Sequence, residues 1–177
     1  MSKARVATVW LDGCSGCHMS FLDMDEVLLD LVPLMDLVYS PLVDVKEFPE
    51  EVDVTLVEGA VSSEDDLKKI RHIREHTKCL VSLGDCAVNG NVPSMRNAFT
   101  VDEVYHRAYF ENAARNQQVP SSVVPKLLDR VHPVHEAVPV DLFIPGCPPS
   151  ASVIQYAVTE LLAGRMPDLE QKTRFGA

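Results

Sequence analysis

The sequence predicts an α/β sandwich built on a doubly wound, mostly parallel sheet. Short apolar, β-branched runs alternate along the chain with stretches of helical spacing, which is the pattern of βαβ units. The runs are Arg5–Leu11, Val52–Val57, Cys79–Leu83 and Asp141–Ile144. Three of them lead directly into loops that carry glycine and cysteine. The alternation suits the flavodoxin-like type, in which ligands gather at the carboxyl edge of the strands. Strand order is not set by the sequence.

The first run, short and buried in character, leads into Gly13-Cys14-Ser15-Gly16-Cys17. Apolar residues at Phe21, Leu22, Met24, Leu28 and Leu31 then predict one helix from about Met19 to Leu31, stopped near Pro33. Leu37–Tyr39 reads as a short strand, and Pro41 and Pro49 interrupt the stretch between it and the second run. After the second run, Ser62 or Ser63 caps a helix that reaches about His76, acidic at its start and basic at its end, as the helix dipole prefers. Thr100 and Glu103 form a capping box for a helix through about Glu111. Four prolines between Pro120 and Pro139 make 112–139 an irregular insertion, of the kind usually kept for function or an interface. Ser150 caps a last helix, roughly Ala151 to Ala163, with Gly164 at its C′ position. The whole chain, 1–177, reads as a single domain.

At 177 residues, the chain buries about 70% of its unfolded surface without help from disulfides. Its five cysteines are an odd number in no tandem framework, which argues against a secreted scaffold. The N-terminal apolar stretch is too short for a signal segment, and no run approaches a membrane span. The expected location is cytoplasmic. A net charge of −10 excludes nucleic acid as a natural partner. The mean hydropathy of +0.02 is high for so charged a chain, as expected where a partner protein covers apolar surface.

Cys14 and Cys17 follow the first strand, Cys86 the third run and Cys147 the last, so four thiols from three loops converge on one edge. A C-x-x-C pair alone fits a redox dithiol, half a zinc site or part of an iron–sulfur cluster. One close pair with two distant single cysteines, framed by glycines, fits a [4Fe–4S] cluster better than zinc, and zinc in a stabilised scaffold remains the alternative. Cys79 opens its strand at the opposite edge and reads as a core cysteine. Glu58 ends a strand on the thiol edge and is a candidate proton relay, or a carboxylate that binds loop amides. His18 is expected to face solvent; Arg96 and Asn97 contact a partner or satisfy loop carbonyls.

Four motifs, Leu11-Asp12-Gly13-Cys14-Ser15-Gly16-Cys17, Val57-Glu58-Gly59-Ala60, Gly84-Asp85-Cys86-Ala87 with Pro93–Asn97, and Ile144-Pro145-Gly146-Cys147-Pro148-Pro149, together resemble the small subunit of a [NiFe] hydrogenase. The resemblance is closest to the cytoplasmic type that works with an NAD-reducing diaphorase, and it runs from about Arg5 to Gly164. It implies that Cys14, Cys17, Cys86 and Cys147 hold one [4Fe–4S] cluster that relays electrons from H2. It also implies a large subunit with the nickel–iron centre, and diaphorase subunits with further iron–sulfur clusters and FMN. The related cluster subunit of NADH:quinone oxidoreductase shares the Pro-Gly-Cys-Pro-Pro element but typically has its first two cysteines adjacent. The spacing Cys14-x-x-Cys17 favours the hydrogenase. The longer C-terminal extension of other hydrogenase small subunits, with its further clusters, has no counterpart after Gly164.

Overall fold

A computed structural model describes residues 3–173. Five parallel strands form the central sheet: β1 (Ala4–Trp10), β2 (Met35–Tyr39), β3 (Val52–Glu58), β5 (Thr77–Leu83) and β7 (Leu142–Ile144). They lie in the order β2-β1-β3-β5-β7, the flavodoxin-like arrangement of a doubly wound sheet. Two short strands, β4 (Val61–Ser63) and β6 (Leu127–His132), pair antiparallel beside it.

Parallel pairing sets one row of partners across the sheet: Trp10 opposite Glu58, Glu58 opposite Leu83, and Leu83 opposite Ile144. Four strands therefore end at one level, and every loop that leaves them starts from the same crest.

Helices cover both faces, because neighbouring strand residues point to opposite sides. Leu56 and Val81 face a core built with α1 (Gly16–Leu22), α2 (Val27–Leu31) and α7 (Ala151–Leu162), through Phe21, Leu31 and Ile154. Val57 and Leu80 face the other core, closed by α3 (Glu64–Glu75), α4 (Asp85–Asn89) and α6 (Val134–Ala137), through Ile70, Ile73 and Val134. Each such fully buried aliphatic contributes about 1.5–3 kcal/mol relative to exposure.

The helix expected over 19–31 is broken in two. Asp23, Asp25 and Glu26 place three carboxylates within four positions, and Asp25 takes a left-handed φ of 50° at the break, a conformation that aspartate tolerates better than most residues. Met24 stays buried across it. Inside the segment read as an irregular insertion, β6 and α6 are regular, while 112–126 has no helix or strand apart from turns and bends. Residues Val101–His106 form α5 and continue as a π-helical turn over Arg107–Glu111. Among the described residues no helix is long and apolar enough to cross a membrane.

The caps expected at Ser63, Thr100 and Gly164 form, whereas Ser150 precedes α7 without a side-chain cap bond, its hydroxyl meeting that of Ser152. Thr100 and Glu103 form their box, and Gly164, at φ 72°, closes α7 with its N–H on Leu161 and that of Arg165 on Glu160. Ser63 caps α3, accepting from the Asp66 N–H while the Asp66 carboxylate accepts from the Ser63 N–H. Ser63→Ala should lower stability by about 1 kcal/mol in urea denaturation, with the spectrum of the folded state unchanged.

Candidate metal centre

The crest of the sheet gathers all four thiols expected there. Cys14 lies on the loop after β1 and Cys17 in the first turn of α1. Cys86 is the second residue of α4, just past β5, and Cys147 follows β7 by three residues. Cys17 is buried and Cys86 is partly so, whereas Cys14 and Cys147 are exposed. Burial, then the charges of Glu58, Cys86, Cys14 and Cys147, push the Cys17 thiol far above its ordinary range. Burial, then Cys147 and Cys14, raise Cys86 to about 11. Cys17 thus lies within electrostatic reach of the other three sulfurs. Cys79 is apart from them, the third residue of β5, opposite Val54 and packed against the core.

Backbone hydrogen bonds lock the loops together. The Gly84 N–H donates to the Ile144 carbonyl, and the Asp85 N–H to the Gly146 carbonyl, both at 2.8 Å. The buried Asp85 carboxylate accepts the Gly146 N–H in return at 2.7 Å. The Ser20 hydroxyl, on α1, donates to the Pro149 carbonyl. On the other side, Asp12 and Ala60 exchange backbone bonds of 3.0 and 2.8 Å. The Asn91 amide stands 3.5 Å from the Cys147 sulfur.

Two glycines are required by this packing. Gly84 has φ 83°, and a Cβ there would stand 2.2 Å from the Cys17 sulfur. Gly59, at φ 90°, lies so close to the Leu11–Asp12 backbone that a Cβ would meet it at 2.8 Å. Neither is marked by its immediate neighbours in the chain: the need for Gly84 arises from a residue 67 positions away (84 − 17).

Glu58 and His18 form a buried pair, 2% and 5% exposed. One carboxylate oxygen, Oε2, accepts the His18 backbone N–H at 2.9 Å and meets its Nδ1 at 2.5 Å. The expectation that His18 faces solvent is corrected here. A carboxylate this deeply buried needs donors, and the first turn of α1 supplies both the backbone N–H and the imidazole. The other ring nitrogen, Nε2, is buried without a partner among the described residues. Arg96 and Asn97 satisfy backbone rather than facing outward. Arg96 donates to the carbonyls of Ser62 and Leu128, and Asn97 exchanges two bonds with Val131.

This arrangement defines a flavodoxin-like α/β chain with a sulfur-lined crest. The family described as the NADH ubiquinone oxidoreductase 20 kDa subunit matches residues 14–161. The delta subunit of the NAD-reducing hydrogenase HoxS of Cupriavidus necator is 42% identical over 94% of this chain and 82% of its own length. One subunit of the F420-non-reducing hydrogenase vhu of Methanocaldococcus jannaschii is 39% identical over 95% of this chain, which spans 59% of that relative. A solved chain of an NAD+-reducing [NiFe]-hydrogenase in the H2-reduced state superposes with a TM-score of 0.94, at 40% identity, covering 98% of this chain and 99% of that one. A chain of the Dm. baculatum [NiFeSe]-hydrogenase, 20% identical with a TM-score of 0.59, shares the fold over 99% of this chain and 70% of its own.

The chain belongs to the NADH ubiquinone oxidoreductase 20 kDa subunit family and, within it, to the group of hydrogenase small subunits that contains the NAD-reducing delta subunit.

Two measurements on the metal-free, reduced chain test the geometry. Gly84→Ala should cost about 1–3 kcal/mol, the usual cost of forcing such backbone strain, and should raise the reactivity of Cys17 toward a thiol reagent. The second concerns pH. Burial raises Cys86 from 9.0 to about 11, so the folded state keeps a proton that the unfolded chain releases first. That contribution is complete below pH 9 and is lost as pH rises toward about 11. The urea midpoint should fall over this window, and less steeply in Cys86→Ser.

Proposed function

We propose that the chain is the electron-transfer small subunit of a cytoplasmic NAD-reducing [NiFe] hydrogenase, with Cys14, Cys17, Cys86 and Cys147 holding one [4Fe–4S] cluster. The observation that carries this is the convergence of four thiols from three loops on one crest, in a chain 42% identical to an NAD-reducing hydrogenase delta subunit.

The donor set fits such a cluster. Four thiolates are its usual ligands, and here they are held by fixed loop geometry. A single zinc ion would draw four sulfurs to about 3.8 Å from one another, given its 2.3 Å bonds. Among the described residues no three cysteine sulfurs come within 4.8 Å of one another. The buried thiols, reluctant to ionise in the metal-free protein, release their protons when a cationic group binds.

When bound, a [4Fe–4S] cluster supplies one-electron transfer. The protein's own part is to hold the sulfurs, exclude water from Cys17, and offer the Asn91 amide to Cys147. Glu58, whose Oε2 is hydrogen-bonded to His18 Nδ1 beside Cys17, serves as a proton relay in this reading. The side chains of Trp10 at the end of β1, Met19 on α1, and Val92, Met95 and Phe99 after α4 are apolar and exposed, and we read them as part of a protein interface. The large subunit with the nickel–iron centre covers them, and the exposed Val123 and Val124 of the 112–139 segment extend the contact. NAD+ accepts a hydride, which a one-electron centre cannot deliver, so diaphorase subunits with further clusters and FMN complete the path.

The family description favours a second reading, a cluster subunit of an NADH:quinone oxidoreductase-type complex. The Cys14-x-x-Cys17 spacing stands against it. Co-purification with partners, followed by iron, nickel and zinc counts, separates the readings: nickel in the partner identifies the hydrogenase, its absence with quinone reduction the alternative, and zinc in place of iron a scaffold. Serine at Cys14, Cys17, Cys86 or Cys147 should deplete iron, and Cys79→Ser should leave it. The pair of this chain and its large subunit should reduce an artificial dye with H2, yet reduce NAD+ only after the diaphorase is added. NAD+ turnover by the pair alone would overturn the relay.

A further inference from the structure

We propose that His72, Glu75 and His76 form a binding site for a first-row divalent transition cation of the Zn²⁺ kind, on the edge of the sheet opposite the thiols. The three side chains lie at positions i, i+3 and i+4 of α3 and its C-cap, so they share one face. Each offers one ligating atom, and the three atoms lie within 4.8 Å of one another. The imidazole centroids of His72 and His76 are 4.5 Å apart. A tetrahedral ion with bonds of 2.0–2.1 Å needs its ligands about 3.3 Å apart, a gap that side-chain rotation of the two exposed residues, His72 and Glu75, closes. Two imidazoles with one carboxylate are a donor set suited to zinc, with water in the fourth position.

The surroundings favour a cation. The site lies at the C-terminal end of a 12-residue helix, where the dipole is negative. Glu50 and Glu51 share with Glu75 and His76 the walls of the adjoining cleft. Arg74 is paired with Asp141 and Lys78 with Asp53, and the Arg5 guanidinium donates to the Glu50 and Glu51 carbonyls. Among the described residues, no hydrogen bond or ion pair engages the ring nitrogens of the two histidines or the Glu75 carboxylate. Phe48 packs edge-on against His72, with centroids 6.3 Å apart.

The position also keeps the site apart from the crest. The His76 carbonyl accepts the N–H of Val52, the first residue of β3. Glu58 ends that strand, and seven residues of strand span about 20 Å. A partner seated on the thiols leaves this end of the sheet free to bind metal.

The test is calorimetric titration with Zn²⁺ alone, on the full chain in its purified complex, comparing wild type with His72→Ala and with the His72→Ala/His76→Ala double variant. Only the difference between proteins is read, so Zn²⁺ uptake by the cysteines, common to all three, cancels whether or not they hold a cluster. The expected result is one equivalent of Zn²⁺ present in wild type and weakened at least tenfold in His72→Ala, with a smaller loss in Glu75→Gln. Zn²⁺ should also raise the unfolding midpoint of wild type more than that of the variants, and Mg²⁺ should do neither, being a poor match for imidazole. His72 is exposed, so the single variant decides the matter if the double variant folds poorly. Equal stoichiometry and affinity in wild type and His72→Ala would overturn the proposal.

Discussion

The row of partners Trp10, Glu58, Leu83 and Ile144 fixes where everything of chemical interest lies. Parallel strands in this register end at one height, and the loops beyond them begin side by side. A slip of one residue in β5 would send Leu80 and Val81 to the wrong cores and turn every side chain of that strand over. The two cores, one on each face, therefore hold the register, and the register holds the sulfurs. Loop conformation only refines a placement that hydrophobic burial has already made.

The crest concentrates groups that prefer not to be charged together. Burial, Glu58 and the three other thiols all make Cys17 costly to ionise. The fold relieves this for Glu58 by placing two donors of His18 on one oxygen. It relieves Asp85 by backbone N–H donation from Gly146. The sulfurs receive much less help, with the Asn91 amide at 3.5 Å the one side-chain hydrogen bond to a sulfur among the described residues. The crest thus sets two well-satisfied carboxylates beside two thiols, Cys17 and Cys86, that burial keeps protonated.

Local signals in the sequence were enough for much of this. The β-branched runs marked four of the five central strands, and Ser63, Thr100 and Gly164 marked helix ends through chemistry confined to a few neighbouring residues. The thiol positions relative to those runs placed all four sulfurs on one edge, where the structure has them. The features that stayed hidden depend on distant partners. β6 exists because β4 and the side chains of Arg96 and Asn97 satisfy its backbone, and nothing in Leu127–His132 announces those contacts. His18 looks solvent-facing until Glu58, 40 positions later, is known to be buried against it. The break at Asp25 is local but ambiguous, since acidic residues are also good helix formers.

The stitching between the β5 and β7 loops gives the crest a place in time as well as in space. The crest thiol Cys147 is translated 130 residues after its fellow Cys17 (147 − 17). Until β7 has docked against β5, the hydrogen bonds from Gly84 and Asp85 to Ile144 and Gly146 do not exist, and neither does the fourth wall around the sulfurs. Contacts so far apart in sequence form late in folding. A group that requires all four thiols can thus be captured only by a chain in which β7 has docked against β5, and its retention reports that this step of folding has taken place.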